Sequence, residues 1–405
     1  MKDKIILFSE NTHPFIISEL KYASDNYSQI VLLAPFCNEL QAECLKYPNV
    51  KYCITPNDSI IKKIATSFKG INFRAINELF ITIKQRKMSI QYIKLLIIYL
   101  YNSTLLNKNL KNILHDQGQT WILLSCWFAP TSYAVSVAKE IYPKLKVGSL
   151  AHSYEVDDIK NKCVGSLFKS FCHNNLDFIS FISKNVLDTY LAKYVIPNKW
   201  KKDHISVDYL GTLKKANGIS HESGNNYFHI VSCSALIPVK QIGLLIEGLS
   251  LIKDLKINWT HIGTGFLLEE LQNKANIFNN SNINVEWMGA IDNIKIHEYY
   301  ANNAIDVFIN VSSSEGIPVS IMEAIAYGIP CIATDVGGNS EIVDELIGIL
   351  LDSNPTPQDI SDAIHNFANM DNNKKNNMRV SALKKFEKFN SDKIREDFYK
   401  KIKDD

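Results

Sequence analysis

The 405-residue chain reads as an α/β protein with two parallel sheets, on three observations. Short apolar runs alternate with longer helical patterns, the alternation occurs in two rounds, and a polar stretch separates the rounds. The first round has strand-length runs at 4–9, 29–35, 50–55, 121–125, 147–151 and 178–183. The second has them at 228–232, 257–263, 283–288, 305–311 and 330–334. Between them, 214–227 (KKANGISHESGNNY) has the glycine- and asparagine-rich composition of a linker. These boundaries give a first domain at 1–210, a linker at 211–227, a second domain at 228–385 and a terminal helix at 386–405. The helix is read from the spacing of Phe386, Phe389, Ile394 and Phe398 among charges. A hydrophobic content of 46% is enough to fill two cores.

Composition excludes several classes. With 44 basic and 42 acidic residues the net charge is +2, so no global field argues for nucleic acid. The eight cysteines, among them Cys163, are irregularly spaced without a C-x-x-C pair, and read as reduced thiols. The start, MKDKIILFSENTHPF, lacks a signal-peptide pattern, and the longest apolar run, 95–101, is far short of the roughly 20 residues a membrane helix needs. A cytoplasmic location is expected. No repeat of 20 to 50 residues occurs, nor any low-complexity tract.

Residues 312–343, SSSEGIPVSIMEAIAYGIPCIATDVGGNSEIV, carry the densest chemistry. Glu315 lies at the polar exit of the apolar run 305–311, and Pro318, with no N–H and a preset φ, suits the first turn of a helix. Glu323 then lies about 7.5 Å further along that helix. It is the one charged side chain in PVSIMEAIAY, and an ionised carboxylate is rarely buried without a partner. Taken singly, a helix-start carboxylate and a glutamate emerging from a core helix explain the two as well.

Taken together they resemble the E-x7-E motif of retaining family 4 glycosyltransferases, which have the GT-B fold. The resemblance spans nearly all of the chain and is specific over 228–343. It implies two Rossmann-like domains, the first (1–210) binding the acceptor and the second (228–385) the nucleotide sugar, a donor in the interdomain cleft, and a C-terminal helix that crosses back to the first domain. It also implies that Glu315 holds donor-sugar hydroxyls and Glu323 the ribose diol, with Gly316, Ile317 and Pro318 in the donor-binding loop. No metal and no cofactor beyond the nucleotide-sugar substrate are expected.

Other segments complete the implied site. In HIVSCSALIPVKQIGLLIEGL, Lys240 opens a helical pattern after a strand, where an ammonium can meet phosphate. A solvated surface lysine is the alternative. The segment resembles the family's G-R-L-x-x-x-K-G loop but has Ser234 and Ala235 in place of glycine and arginine, so one cation beside the diphosphate is missing. Gly263 and Gly265 resemble a G-x-G-P turn and suit either a ligand contact or a tight turn. Gly289 and Ala290 resemble the segment around the nucleotide base. In the first domain, His152 ends a strand and resembles the histidine of an A-H-G-x-D turn that faces the donor sugar, with Ser153 in place of glycine and Glu155 in the acidic place. The alternative is a histidine bonded to a neighbouring loop. His13 and Glu19, in LFSENTHPFIISEL, are acceptor contacts on a partial match to P-F-G-x-G-E, and a surface carboxylate at a helix start explains Glu19 equally.

From 60 to 113 there are ten Lys or Arg and one acid, Glu78, interleaved with Ile, Leu, Phe and Tyr. This pattern fits peripheral contact with an anionic membrane, or a solvated helix face over a core. The resemblance and this face together imply a retaining transferase that moves a hexose or N-acetylhexosamine from a UDP-linked sugar to a lipid-linked acceptor. The setting implied is bacterial surface polysaccharide synthesis, O-antigen or capsule, at the inner face of the membrane. A sugar-nucleotide epimerase of the same fold, and a non-catalytic binder suggested by Ala235, are the alternatives.

Overall fold

The computed structural model describes residues 3–11, 14–84, 89–114, 120–128, 130–156, 167–194, 204–224, 227–279 and 281–404. His13, Arg86, Lys87 and Cys163 lie outside them. The chain forms two compact units, 1–208 with 395–405, and 209–394.

Seven strands form the sheet of the first unit: β1 (Lys4–Phe8), β2 (Gln29–Pro35), β3 (Val50–Thr55), β4 (Trp121–Ser125), β5 (Lys146–Ala151), β6 (Phe178–Phe181) and β7 (Ile205–Val207). Their order is β3-β2-β1-β4-β5-β6-β7, and every pairing is parallel. A parallel sheet is covered on both faces, which is why its strands are continuous apolar runs such as KIILF and WILLS. Ile5, Leu7, Ile30, Leu32, Ile122 and Leu124 share one core with Phe398, Tyr399 and Ile402 of the last helix, Ser391–Asp404.

The second unit has six strands: β8 (Phe228–Cys233), β9 (Ile257–Ile262), β10 (Ile283–Gly289), β11 (Val307–Asn310), β12 (Cys331–Thr334) and β13 (Gly348–Leu351). Their order is β10-β9-β8-β11-β12-β13, again all parallel. Ile230, Trp259, Val307 and Ile309 pack with Leu245, Leu249, Ile360 and Ile364 of two covering helices. In each sheet the strand order reverses direction once, between β1 and β4 and between β8 and β11. The crevice beyond the carboxyl ends of the strands at such a point is where open α/β sheets bind ligands.

Two strands have no counterpart in the sequence reading. β7 is three residues long, too short for a pattern. β13 begins with Gly348, which reads as a breaker; a Cβ there would lie 1.8 Å from the Cys331 carbonyl oxygen, so only glycine fits beside β12. The terminal helix also differs. Its expected span is split into Asn372–Phe386, a 3-10 turn at Glu387–Phe389, and Ser391–Asp404. None of the described helices is long and apolar enough to cross a membrane.

Candidate functional site

In the second unit the sequence-predicted residues gather at the reversal point between β8 and β11. β11 ends at Asn310, whose Oδ1 accepts from the Ser312 N–H at 3.0 Å and whose Nδ2 donates to Glu315 Oε1 at 3.3 Å. One asparagine thereby shapes the turn and aims the carboxylate. The Ser313 N–H donates to the Val239 carbonyl at 2.8 Å, which ties this loop to the 3-10 turn Pro238–Lys240 after β8. Lys240 Nζ then donates to Glu315 Oε1 at 2.6 Å. The pair is largely but not wholly buried, with side-chain exposures of 22% and 10%. An ammonium has three donors, so two remain for a ligand.

Glycines explain why the loops approach so closely. A Cβ on Gly337, at φ +56°, would lie 2.0 Å from the Glu315 carbonyl oxygen, and one on Gly338 would lie 2.6 Å from that of Gly316. The Gly337–Gly338 pair therefore backs the Glu315–Gly316–Ile317 segment. Gly263 and Gly265 do the same for the loop after β8, where a Cβ would lie 1.9 Å from Ser234 O and 2.3 Å from Leu236 O. Their close contacts are with the chain itself. Gly289, by contrast, has open space on its Cβ side, and Ala290 beside it is exposed.

Pro318 sits at the N-cap of the helix Val319–Ile325, one residue before the first turn in which the sequence places it. Glu323 on that helix is 6% exposed and partnered. Asn293 Nδ2 donates to its Oε1 at 2.7 Å, and Lys215 Nζ binds Oδ1 of the same asparagine. His297 Nε2 faces the carboxylate at 3.6 Å. The Tyr327 hydroxyl accepts from the Ala216 N–H at 3.0 Å and is hydrogen-bonded to His297 Nδ1, also at 3.0 Å. Cys233, at the end of β8, is within electrostatic reach of both clusters. Burial, then the charge of Glu323, pushes its thiol up to about 12, so it is protonated at neutral pH.

His261 orders the loop that carries Ala235. The Ser232 hydroxyl accepts from Trp259 Nε1 and donates to His261 Nδ1, each at 2.9 Å, so Nε2 donates to the Ser234 carbonyl at 3.2 Å. Burial lowers this imidazole from 6.5 to about 4, which keeps it neutral.

In the first unit, His152 follows β5 with its ring 4.4 Å from that of Trp127 and edge-on to Phe15 at 5.0 Å. Its backbone N–H donates to Glu155 Oε2 at 2.8 Å. Its Nδ1 is 3.5 Å from that oxygen. Glu155 is 1% exposed and lines a cavity of about 720 Å³ together with Glu10 and Trp127. Glu19 lies elsewhere. It is fully buried, accepts from the Tyr399 hydroxyl at 2.7 Å and pairs with Arg395 Nε at 3.1 Å. Its carboxylate anchors the last helix, which corrects both sequence readings of it, as an acceptor contact and as a surface group. A cavity of about 780 Å³ in the second unit lies at the starts of β9 and β10, around Ile257 and Ile283, at the other end of these strands.

Sequence reasoning missed Asn293, Asn310, His297, Glu10 and the role of Gly337–Gly338. The glycine pair after a strand was a usable signal; the others become visible only through their partners.

Residues 215–385 match the family model described as Glycosyl transferases group 1. An uncharacterized glycosyltransferase of Methanocaldococcus jannaschii is 28% identical over 214 residues, 53% of this chain and 56% of that protein. The UDP-Gal:alpha-D-GlcNAc-diphosphoundecaprenol alpha-1,3-galactosyltransferase of Escherichia coli is 33% identical over 99 residues, 23% of each chain. The chain thus spans about half the length of the first curated relative and under a quarter of the second. In fold it is similar to HepE of Anabaena in complex with UDP, at a TM-score of 0.67 and 14% identity over 99% of both chains. Solved glycosyltransferases share the same architecture. The chain therefore has the α/β GT-B fold, and its residues 215–385 carry the domain that the Glycosyl transferases group 1 model describes.

Proposed function

We propose that this protein is a retaining glycosyltransferase that moves a hexose or N-acetylhexosamine from a UDP-linked sugar to a lipid-linked oligosaccharide, in the assembly of a surface polysaccharide. The observation that carries this reading is the convergence of Lys240, Glu315 and the Asn293–Glu323 pair at the strand ends of the matched domain. The E. coli relative, whose name includes a UDP-sugar and a diphosphoundecaprenol acceptor, supports the substrate classes. The UDP-bound structural neighbour supports the nucleotide.

Each side chain has a task in this reading. As the bond between sugar and phosphate breaks towards an oxocarbenium-like state, negative charge grows on the diphosphate, and the remaining Lys240 donors stabilise it. Glu315, steadied by Asn310, accepts from sugar hydroxyls. Glu323 accepts from the ribose diol, and His152 serves the donor sugar. Lys215, exposed and bonded to Asn293, adds a cation beside the Asn293–Glu323 pair. No metal takes part.

The test screens UDP-, GDP- and other nucleotide sugars by thermal shift and by release of nucleoside diphosphate, with and without EDTA. A UDP-sugar is expected to bind and turn over to a retained anomer, unaffected by chelation. Glu315→Ala and Glu323→Ala are each expected to lower turnover or donor affinity by about 10- to 100-fold, the equivalent of one charge-assisted hydrogen bond. Intact turnover in both variants would sink the site. A free epimer formed without acceptor would identify an epimerase, and binding without diphosphate release a non-catalytic binder.

A further inference from the structure

The two oxygens of Glu323 are held differently. The helix Asn293–Asn302 follows β10, and its Asn293 and His297, four residues apart, lie on one face. Both reach the same atom, Oε1: Asn293 Nδ2 donates to it at 2.7 Å, and His297 Nε2 stands 3.6 Å from it. Oε2 takes no hydrogen bond from any described residue and remains accessible. An ionised carboxylate has about four acceptor positions, so Oε2 is open to hydroxyl donors.

Asn293 is itself fixed from behind. Lys215 Nζ binds its Oδ1, so the two ends of the amide face a group that only donates and a group that only accepts. The amide therefore keeps one orientation, with Nδ2 towards Glu323. Lys215 lies in the stretch read from sequence as a linker, and its neighbours pin that stretch in place. The Lys214 ammonium stands 5.0 Å over the Tyr327 ring, and the Ala216 N–H donates to the Tyr327 hydroxyl at 3.0 Å.

We propose that Asn293, braced by Lys215, is a positioning residue that sets specificity for the sugar of the nucleotide: it pins Oε1 and so presents Oε2 alone to a vicinal diol. This deepens the transferase reading above and rests on it for the assignment of Glu323 to the ribose. A site built to bond a hydroxyl rejects the analogue lacking it, because its own polar group is left unpaired. A carboxylate released from Asn293 can turn to water or to the remaining hydroxyl, which removes that penalty. Discrimination between a ribonucleotide and its 2′-deoxy form is therefore the property that Asn293 controls.

The test measures affinity for UDP and for 2′-deoxyUDP by calorimetry on wild type, Asn293→Ala, Lys215→Met and Glu323→Ala, with melting temperatures read on the same samples. Wild type is expected to prefer UDP by about ten- to hundredfold, the loss of one hydrogen bond to a charged group. Asn293→Ala is expected to cut that preference to about threefold or less, mainly by weakening UDP. Lys215→Met, which leaves the amide free to rotate, is expected to cut it by about threefold. Asn293 and Lys215 are both exposed, so neither substitution opens the core. A part played in stability alone would weaken both nucleotides by one factor and keep their ratio. Asn293→Ala with the wild-type ratio overturns the proposal; if that variant fails to fold, Lys215→Met with the wild-type ratio does so. The transferase reading survives either result as long as Glu323→Ala binds the two nucleotides alike. Wild type that binds both alike, or Glu323→Ala that keeps the preference, sinks the assignment of Glu323 to the ribose and this proposal with it. Wild type that binds neither sinks the UDP-sugar reading and the proposal together.

Discussion

At the scale of single residues, the candidate site depends on where backbone can approach backbone. Gly337 is the case nearest Glu315, since it combines φ +56° with a neighbour, Glu315 O, that is 2.0 Å from where a Cβ would sit. Gly337→Ala must move the loop that bears Glu315. It is expected to weaken UDP binding by at least about tenfold and to lower stability by about 1–3 kcal/mol, as strain at such positions does. Gly289→Ala is the control: φ is +69° but the space is open, so only the left-handed penalty of about 1 kcal/mol applies. Calorimetry with UDP and denaturant melts on both variants check this; equal effects would mean that contact with Glu315 plays no part. Glu315, Glu323 and Lys240 were legible in the sequence because their types and spacing are themselves the signal. Asn293 and Asn310 were not, because an asparagine carries no mark of what it will bond.

At the scale of elements, the C-terminal segment shows how local pattern and tertiary contact divide the work. Its apolar spacing predicts one helix, yet backbone bonds from Thr212 N to Phe389 O at 2.9 Å and from Ser391 N to Thr212 O at 3.1 Å take groups that a continuous helix would use. Gly211 makes that approach possible, because a Cβ there would lie 2.8 Å from Phe389 O. Beyond the break, Ser391–Asp404 is held by Arg395, 2% exposed, against fully buried Glu19. Removing one partner of a buried pair leaves the other charge without compensation. Arg395→Leu is therefore expected to destabilise the first unit by about 3–5 kcal/mol, and the double variant Arg395→Leu with Glu19→Met to recover most of that. Urea unfolding measures both. A double variant no more stable than the single one would show that the pair itself, not the orphaned carboxylate, supplies the stability.

At the scale of the whole molecule, the stretch 60–113 sets the proposed relation to a membrane. Ile61, Phe73, Phe80 and Ile90 are exposed at 76%, 82%, 71% and 75%, far more apolar surface than a solvated helix face presents. The structure also tempers the charge count, because Asp58 pairs with Lys62 and Glu140 with Arg74. With about 1 kcal/mol per near-surface cation, reversal of Lys69, Lys84 and Lys94 to glutamate is expected to abolish flotation with anionic vesicles and to leave neutral vesicles unaffected. Unchanged flotation would overturn membrane contact. By itself the sequence determined the two parallel sheets and the positions of their strands other than β7 and β13, since burial on both faces writes a continuous apolar run into a few consecutive residues. It likewise determined the two glutamates, which one loop and one short helix carry. Only the tertiary structure decided that Lys240 meets Glu315, 75 residues on, that Asn293 meets Glu323, 30 residues on, and that Tyr399 meets Glu19 across 380. Hydrogen bonds form over about 3 Å, and which groups come that close is set by packing between elements, which no local pattern records.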